Sequence, residues 1–204
     1  MRIERLRGIY AILNEERDIL ERARGILSGG VRLLQYRAKA GVVPHSAETL
    51  RDLTRACDAL FLINDDWRAA LRFEADGVHV GPDDLAVENF LEIRAALEGR
   101  ILGVSCGTEA EARDAERAGA DYLGVGSVFA TGSKSDAGDP IGIAGLKRVA
   151  AATTLPVAAI GGITASNLAQ VRQSGVAMAA MISAFAGADP QRTAAELVAV
   201  WEQT

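Results

Sequence analysis

Three side chains in one short stretch could grip a negatively charged substrate. Gln35, Arg37 and Lys39 alternate with Tyr36 and Ala38, and the period of two in an extended chain turns all three to one face. A lone arginine there would usually be a paired structural residue, whereas three polar groups in a row point to binding. Lysine is scarce, with only Lys39, Lys134 and Lys147 against nineteen arginines. Lys134 closes the run Thr131-Gly132-Ser133-Lys134, which puts two hydroxyls and an ammonium into four residues and suits a loop that closes on an anion. An ordinary surface turn would read the same way, and the order is not that of a P-loop, where lysine precedes the hydroxyl residue.

Carboxylates stand beside these cations. In Ile63-Asn64-Asp65-Asp66, Asp66 suits the N-cap of the following helix, which leaves Asp65 for chemistry. Asp84 ends Gly81-Pro82-Asp83-Asp84 after the next apolar run, and neighbouring strands lie about 5 Å apart, so Asp65 and Asp84 could share one ion. With Arg37, Lys39 and Lys134 nearby, a hard cation bridging to a phosphate is the chemistry expected, Mg2+ being the usual case with few protein ligands. The pair could equally neutralise the bases, and spacing alone does not decide. Gly161-Gly162 and Ile182-Ser183 end two later apolar runs, and paired glycines let backbone N–H groups come close to a phosphate.

Other chemistry has little to stand on. His79, between Val78 and Val80, reads as a hydrogen-bonded core histidine, and His45 as a loop residue. No Ser-His-Asp arrangement or nucleophile elbow is visible. Gly124 and Gly126 begin a G-x-G, but Phe129 occupies the third glycine position, against dinucleotide binding.

The elements that would have to position these residues follow from the apolar pattern. Short apolar runs at 8–13, 33–37, 60–63, 77–80, 101–105, 122–125, 157–160 and 178–182 alternate with amphipathic stretches at 17–28, 47–57, 67–73, 87–97, 110–118, 143–152, 166–173 and 191–202. Eight of each predicts an α/β chain folded as a single-domain (β/α)8 TIM barrel over residues 1–204. A doubly wound sheet would need fewer strands and a glycine-rich first turn, and this first turn reads Asn14-Glu15-Glu16-Arg17. Gly29, Gly99, Gly119 and Gly175 follow four of the helices, where left-handed residues are wanted. At 204 residues the barrel has short connections, with one long loop at 126–140. Its chemistry belongs at the C-terminal ends of the strands, where the polar residues above all fall.

Composition fits that picture. Forty-nine per cent hydrophobic residues can build a large core, with about 70% of the unfolded surface buried. The only cysteines, Cys57 and Cys106, are far apart, against a disulfide scaffold or structural zinc. No run suits a signal-peptide core or a membrane span, so a cytoplasmic protein without membrane attachment is expected. A net charge of -5 argues against nucleic-acid partners.

Taken in order, these segments resemble the thiamine phosphate synthase family over nearly the whole chain. The matching stretches are Leu34 to Lys39, Ile63 to Asp66, Asp76 to Leu85, Gly103-Val104-Ser105, Gly124 to Phe129 with Thr131 and Lys134, Ile160 to Ile163, and Ile182-Ser183. The resemblance implies a (β/α)8 barrel that joins 4-amino-2-methyl-5-hydroxymethylpyrimidine pyrophosphate to a thiazole phosphate, giving thiamine phosphate and pyrophosphate with Mg2+. It implies that Gln35, Arg37, Lys39, Asn64, Ser105 and Lys134 hold the pyrimidine pyrophosphate, and that Asp65 and Asp84 are the metal ligands. Thr131, Ser133, Gly162, Ile182 and Ser183 match the thiazole phosphate contacts. Arg37, Lys39 and Lys134 are the cations that would stabilise the leaving pyrophosphate. The partners implied are small phosphorylated molecules, and both a monomer and a homo-oligomer remain compatible with the sequence.

The chain departs from the family pattern at three places. It reads Ser105-Cys106-Gly107-Thr108 where the family usually has Ser-x-His-Thr, Ala130 stands for a proline, and Ser133 stands for a threonine. One alternative is the related thiazole tautomerase branch, whose general base is a histidine at the position of Gly107; its absence counts against that reading. A non-catalytic thiamine-pathway binding protein is the other, and the metal side formed by Asn64, Asp65, Asp84 and Lys134 argues against it.

Overall fold

The computed structural model describes residues 2–81, 90–132 and 139–203. Its strands are β1 (Gly8–Asn14), β2 (Leu33–Arg37), β3 (Leu60–Asn64), β4 (Gly77–Val80), β5 (Ile101–Cys106), β6 (Tyr122–Val125), β7 (Val157–Ile160) and β8 (Met178–Met181). All pair in parallel, each with its sequence neighbours, and β8 returns to β1 to close the barrel. Helices α1 (Ile19–Ser28), α2 (Pro44–Ala56), α3 (Trp67–Arg72), α4 (Phe90–Ala96), α5 (Glu109–Ala118), α6 (Gly142–Ala150), α7 (Leu168–Arg172) and α8 (Pro190–Gln203) lie between and after the strands. The expected (β/α)8 barrel is therefore the fold. Residues 87–89 of the fourth expected helix lie outside the described residues.

Two cores form because parallel strands bury both faces. One side of the strands meets the helices in a large apolar shell that includes Ile9, Leu34, Phe61, Ile63, Val78, Leu123 and Leu197. The other side fills the barrel with Tyr10, Ile12, Leu33, Leu60, Leu62, Ile101, Tyr122, Ala158, Met178 and Ala180. Leu33, Leu60 and Leu62 are fully buried there, each contributing about 1.5–3 kcal/mol through removal from water. Nearer the C-terminal ends of the strands the inward positions turn polar, and this change of composition is what opens a site.

Local signals explain several helix ends. Asp66 caps α3, its carboxylate accepting from the Ala69 N–H at 2.8 Å. Thr108 and Glu111 form a reciprocal capping box on α5, which starts the helix at Glu109. Pro44 occupies the first turn of α2, so His45 lies in a helix rather than in the expected loop; proline's fixed φ suits that position. Gly99, Gly119 and Gly175 have the expected positive φ. Gly29 does not, at φ -77°; Gly30 takes the left-handed turn. A Cβ on Gly29 would lie 2.4 Å from the Gln191 carbonyl oxygen and 2.6 Å from the Ala194 Cβ, so this glycine serves the close packing of α8 against the end of α1.

Candidate active site

A cavity of about 590 Å³ opens at the C-terminal ends of the strands. Arg37, Lys39, Asn64, Asp65, Ser105, Thr131, Gly162, Ile182 and Ser183 all line it, so tertiary structure gathers nine of the expected residues in one place. Gln35 lies one layer lower, in a small compartment it shares with Tyr10, Arg37, Asn64, His79 and Ser105. Lys39 comes from the turn after β2 rather than from the strand itself. Asp84, Ser133 and Lys134 lie outside the described residues.

The pattern of two along β2 puts Gln35 and Arg37 inside the barrel. Arg37 is 8% exposed, and its Nη1 donates to Asn14 Oδ1 at 3.0 Å. That neighbour across β1 orients the guanidinium without neutralising it, and no ion pair among the described residues involves Arg37 or Lys39. Both charges are thus available to a ligand anion; that of Arg37 is buried, where it acts more strongly than in water, while Lys39 is exposed.

Asp65 follows β3 at φ +66°, a left-handed conformation that aspartate tolerates better than most residues. Its N–H donates to the His79 carbonyl at 2.8 Å, which fixes the turn against β4 and holds the residue at the cavity wall. A carboxylate here is a hard oxygen donor suited to Mg2+, and no cluster of three or more His, Cys, Asp or Glu residues exists among the described residues. One or two carboxylates suffice for an ion that keeps several of its waters.

The opposite wall is backbone-rich. The chain after β6 runs beside the end of β7, with the Val128 N–H donating to the Ile160 carbonyl and the Phe129 N–H to the Gly161 carbonyl. Gly161 and Gly162 both have positive φ, at 101° and 62°. A Cβ on Gly162 would lie 2.5 Å from the Ala130 carbonyl oxygen, so the diglycine is needed for loop packing as well as for an open rim. Ser183 begins a 3-10 turn, Ser183–Phe185, directly after β8.

His79 lines the cavity as well. Its Nδ1 is 2.8 Å from the Tyr122 hydroxyl and its Nε2 is 3.0 Å from Ser105 Oγ, so the histidine expected in the core is hydrogen-bonded as expected but only partly buried and in contact with the site. Tyr10 and Tyr122 were not foreseen as polar participants. Glycines make room for the rings, since a Cβ on Gly103 would fall 2.2 Å from the Tyr122 ring and one on Gly124 would fall 2.8 Å from His79 Cε1, a fit that no local sequence pattern announces. Gly124 and Gly126 therefore have a packing reason, since a Cβ on Gly126 would meet the Ile160 carbonyl. Near the mouth, Glu111 accepts from the Gly107 and Thr108 N–H groups, so the cavity rim at Gly107 carries the Glu111 carboxylate and no imidazole.

Comparison with known proteins agrees with this geometry. Residues 9–185 match the family described as thiamine monophosphate synthase. A thiamine-phosphate synthase of Moorella thermoacetica is 47% identical over 177 residues, covering 84% of this chain and 82% of the relative. That of Archaeoglobus fulgidus is 45% identical over 203 residues, covering 97% and 94%. The solved structure of thiamine phosphate pyrophosphorylase from Pyrococcus furiosus superposes with a TM-score of 0.86 at 36% identity, covering 97% of this chain and 96% of that one. With the family match spanning most of the barrel and the expected side chains gathered at its mouth, the chain belongs to the thiamine monophosphate synthase family.

Proposed function

We propose that this protein is a thiamine-phosphate synthase, a transferase that joins an aminopyrimidine methyl pyrophosphate to a thiazole phosphate and releases pyrophosphate. Family membership supports the activity. The single observation that carries the division of labour is the two-sided cavity: Arg37, Lys39, Asn64 and Asp65 on one wall, and Thr131, Gly162, Ile182 and Ser183 on the other. One wall suits a pyrophosphate and its counter-ion, the other a single phosphate held by hydroxyls and backbone donors.

On this reading Gln35, Asn64 and Ser105 hold the pyrimidine end, and Arg37 and Lys39 grip the pyrophosphate, with Lys134 as the third cation. When the C–O bond to pyrophosphate breaks, the bonding electrons leave with the anion and the pyrimidine methylene becomes cationic. Arg37 and Lys39 stabilise the departing charge. Asp65, with Asp84, would hold Mg2+, whose bound charge offsets that of the pyrophosphate oxygens. The thiazole nitrogen supplies its lone pair to the cation, so the protein's main task is to position two substrates. Thr131, Ser133, Gly162, Ile182 and Ser183 fix the thiazole phosphate for that attack. No side chain is asked to act as nucleophile or general base, in keeping with two histidines in the whole chain.

Both free thiols, Cys57 and Cys106, fit a reducing cytoplasmic setting, and no helix among the described residues is long and apolar enough to cross a membrane. The test is incubation with both substrates and Mg2+, followed by detection of thiamine phosphate and pyrophosphate in equal amounts. Absence of the coupled product under those conditions overturns the reading.

A further inference from the structure

A line of polar groups crosses the barrel interior beneath the cavity. Gln35 Nε2 donates to the Tyr10 hydroxyl. The Tyr10 and Tyr122 hydroxyls are 2.8 Å apart, the Tyr122 hydroxyl is 2.8 Å from His79 Nδ1, and His79 Nε2 is 3.0 Å from Ser105 Oγ. Both tyrosines are fully buried, and burial pushes both phenols well above the usual tyrosine range. Each keeps its proton and brings one donor to the line. The rings are fitted to each other, Tyr10 and Tyr122 edge to face at 6.1 Å and Tyr122 and His79 at 5.4 Å between centroids. Gly103 and Gly124 clear the space that the Tyr122 and His79 rings occupy.

The direction of such a chain is decided where a group can only donate. The amide nitrogen of Gln35 cannot accept, so the Tyr10 oxygen accepts from it and the Tyr10 O–H turns to Tyr122. The Tyr122 O–H then turns to His79 Nδ1, which must be the unprotonated nitrogen of a neutral imidazole. His79 carries its proton on Nε2 and donates it to Ser105 Oγ. The Ser105 proton, no longer needed inside, faces the cavity that Ser105 lines.

We infer that Gln35, Tyr10, Tyr122 and His79 form a one-way hydrogen-bond chain that holds His79 as its Nε2–H tautomer and commits Ser105 to donate to the substrate, selecting an acceptor such as a pyridine-type nitrogen of the pyrimidine ring. Tyr10, Tyr122 and His79 are positioning residues that act through Ser105. A ligand offering a ring N–H at the same place would give the Ser105 proton no acceptor and leave one donor unsatisfied. The choice of pyrimidine as the ligand rests on the synthase reading; the tautomer does not.

The test is a two-bond 1H–15N correlation spectrum of the 15N-histidine-labelled protein at neutral pH, assigned with His45→Gln because the chain holds two histidines. The expected result is His79 protonated on Nε2 alone, retained in Ser105→Ala and partly lost in Tyr122→Phe. Protonation on Nδ1, or on both nitrogens, overturns the inference, and so does an unchanged tautomer in folded Tyr122→Phe. If Tyr122→Phe does not fold, the spectra of the unsubstituted protein and Ser105→Ala still decide, since a chain driven from Ser105 would lose its tautomer in the alanine variant. In kinetics, Tyr122→Phe should raise KM for the pyrimidine pyrophosphate roughly three- to tenfold and leave that for the thiazole phosphate unchanged; equal effects on both overturn the selective role. A protein with the expected spectrum that forms no thiamine phosphate would instead refute the synthase reading while the hydrogen-bond chain stands.

Discussion

A Cβ built on Gly162 would stand 2.5 Å from the carbonyl oxygen of Ala130, so the glycine after β7 and the loop after β6 leave no room for a side chain between them. Gly162 also sits at φ +62°, which a residue with a Cβ adopts at a cost of about 1–2 kcal/mol. Gly162→Ala is therefore expected to lower stability by at least that amount, because the neighbour is backbone and must move as a unit. The displaced loop carries Thr131, so KM for the thiazole phosphate should rise while binding of the pyrimidine pyrophosphate is spared. Chemical denaturation with titration of each substrate checks both; weakening confined to the pyrimidine side would reverse the assignment of the two walls.

Asp65 combines a left-handed backbone with a hard oxygen donor, and the two can be separated by substitution. Asn also tolerates positive φ, so Asp65→Asn keeps the turn and removes the charge. Turnover should fall by roughly 100-fold or more if the carboxylate holds the divalent ion, with the thermal midpoint nearly unchanged. Chelator should abolish activity of the unsubstituted protein, and Mg2+ should restore it. Full activity in excess chelator would refute the metal role.

The neighbouring carboxylate has a different job. Asp66→Ala removes the N-cap of α3 and should cost about 1 kcal/mol, or some 2–4 °C in Tm for a chain of this size. Its kcat should stay close to that of the unsubstituted protein, since Asp66 does not line the cavity. A thermal melt beside a steady-state assay distinguishes the two adjacent aspartates.

Alkaline pH should weaken the fold through Cys106. Burial, reinforced by the Glu111 carboxylate, pushes its thiol up from 9.0 to about 12. The folded state holds that proton more tightly than the unfolded chain, so the stability this provides is complete below about pH 9 and is lost as pH rises toward 12. Tyr36 behaves likewise over a higher window, raised from 10.0 to about 12 by burial and by its hydrogen bond to Glu15. Cys106→Ala should therefore flatten the pH dependence of the urea midpoint between pH 9 and 10, where the cysteine contributes first. An unchanged slope there would show that Cys106 is not the group being read.

How much of this was legible in one dimension depends on the range of the force involved. The strands at Leu33–Arg37, Gly77–Val80, Tyr122–Val125 and Val157–Ile160 match the expected runs residue for residue, because their helix-facing positions are apolar from end to end, as burial under the helices demands, even where the inward positions carry Gln35, Arg37 or His79. The Asp66 cap is equally local, spanning three residues. Polar residues at strand ends then sufficed to gather Arg37, Lys39, Asn64, Asp65 and Ser183 at one mouth, since a barrel sends every strand's C-terminal end to the same side.

Tertiary structure decided what lies across the barrel. Tyr10 and Tyr122 are separated by 112 positions yet share a hydrogen bond, and no local pattern marks either as more than an apolar-run aromatic. Gly29, Gly103 and Gly124 look alike in the sequence, but each is needed for a different neighbour: α8, the Tyr122 ring and the His79 ring. Periodicity tells which side of a strand a residue faces, because that depends on the strand alone. Which residue it meets inside depends on the register and closure of all eight strands, and only the folded chain carries that information.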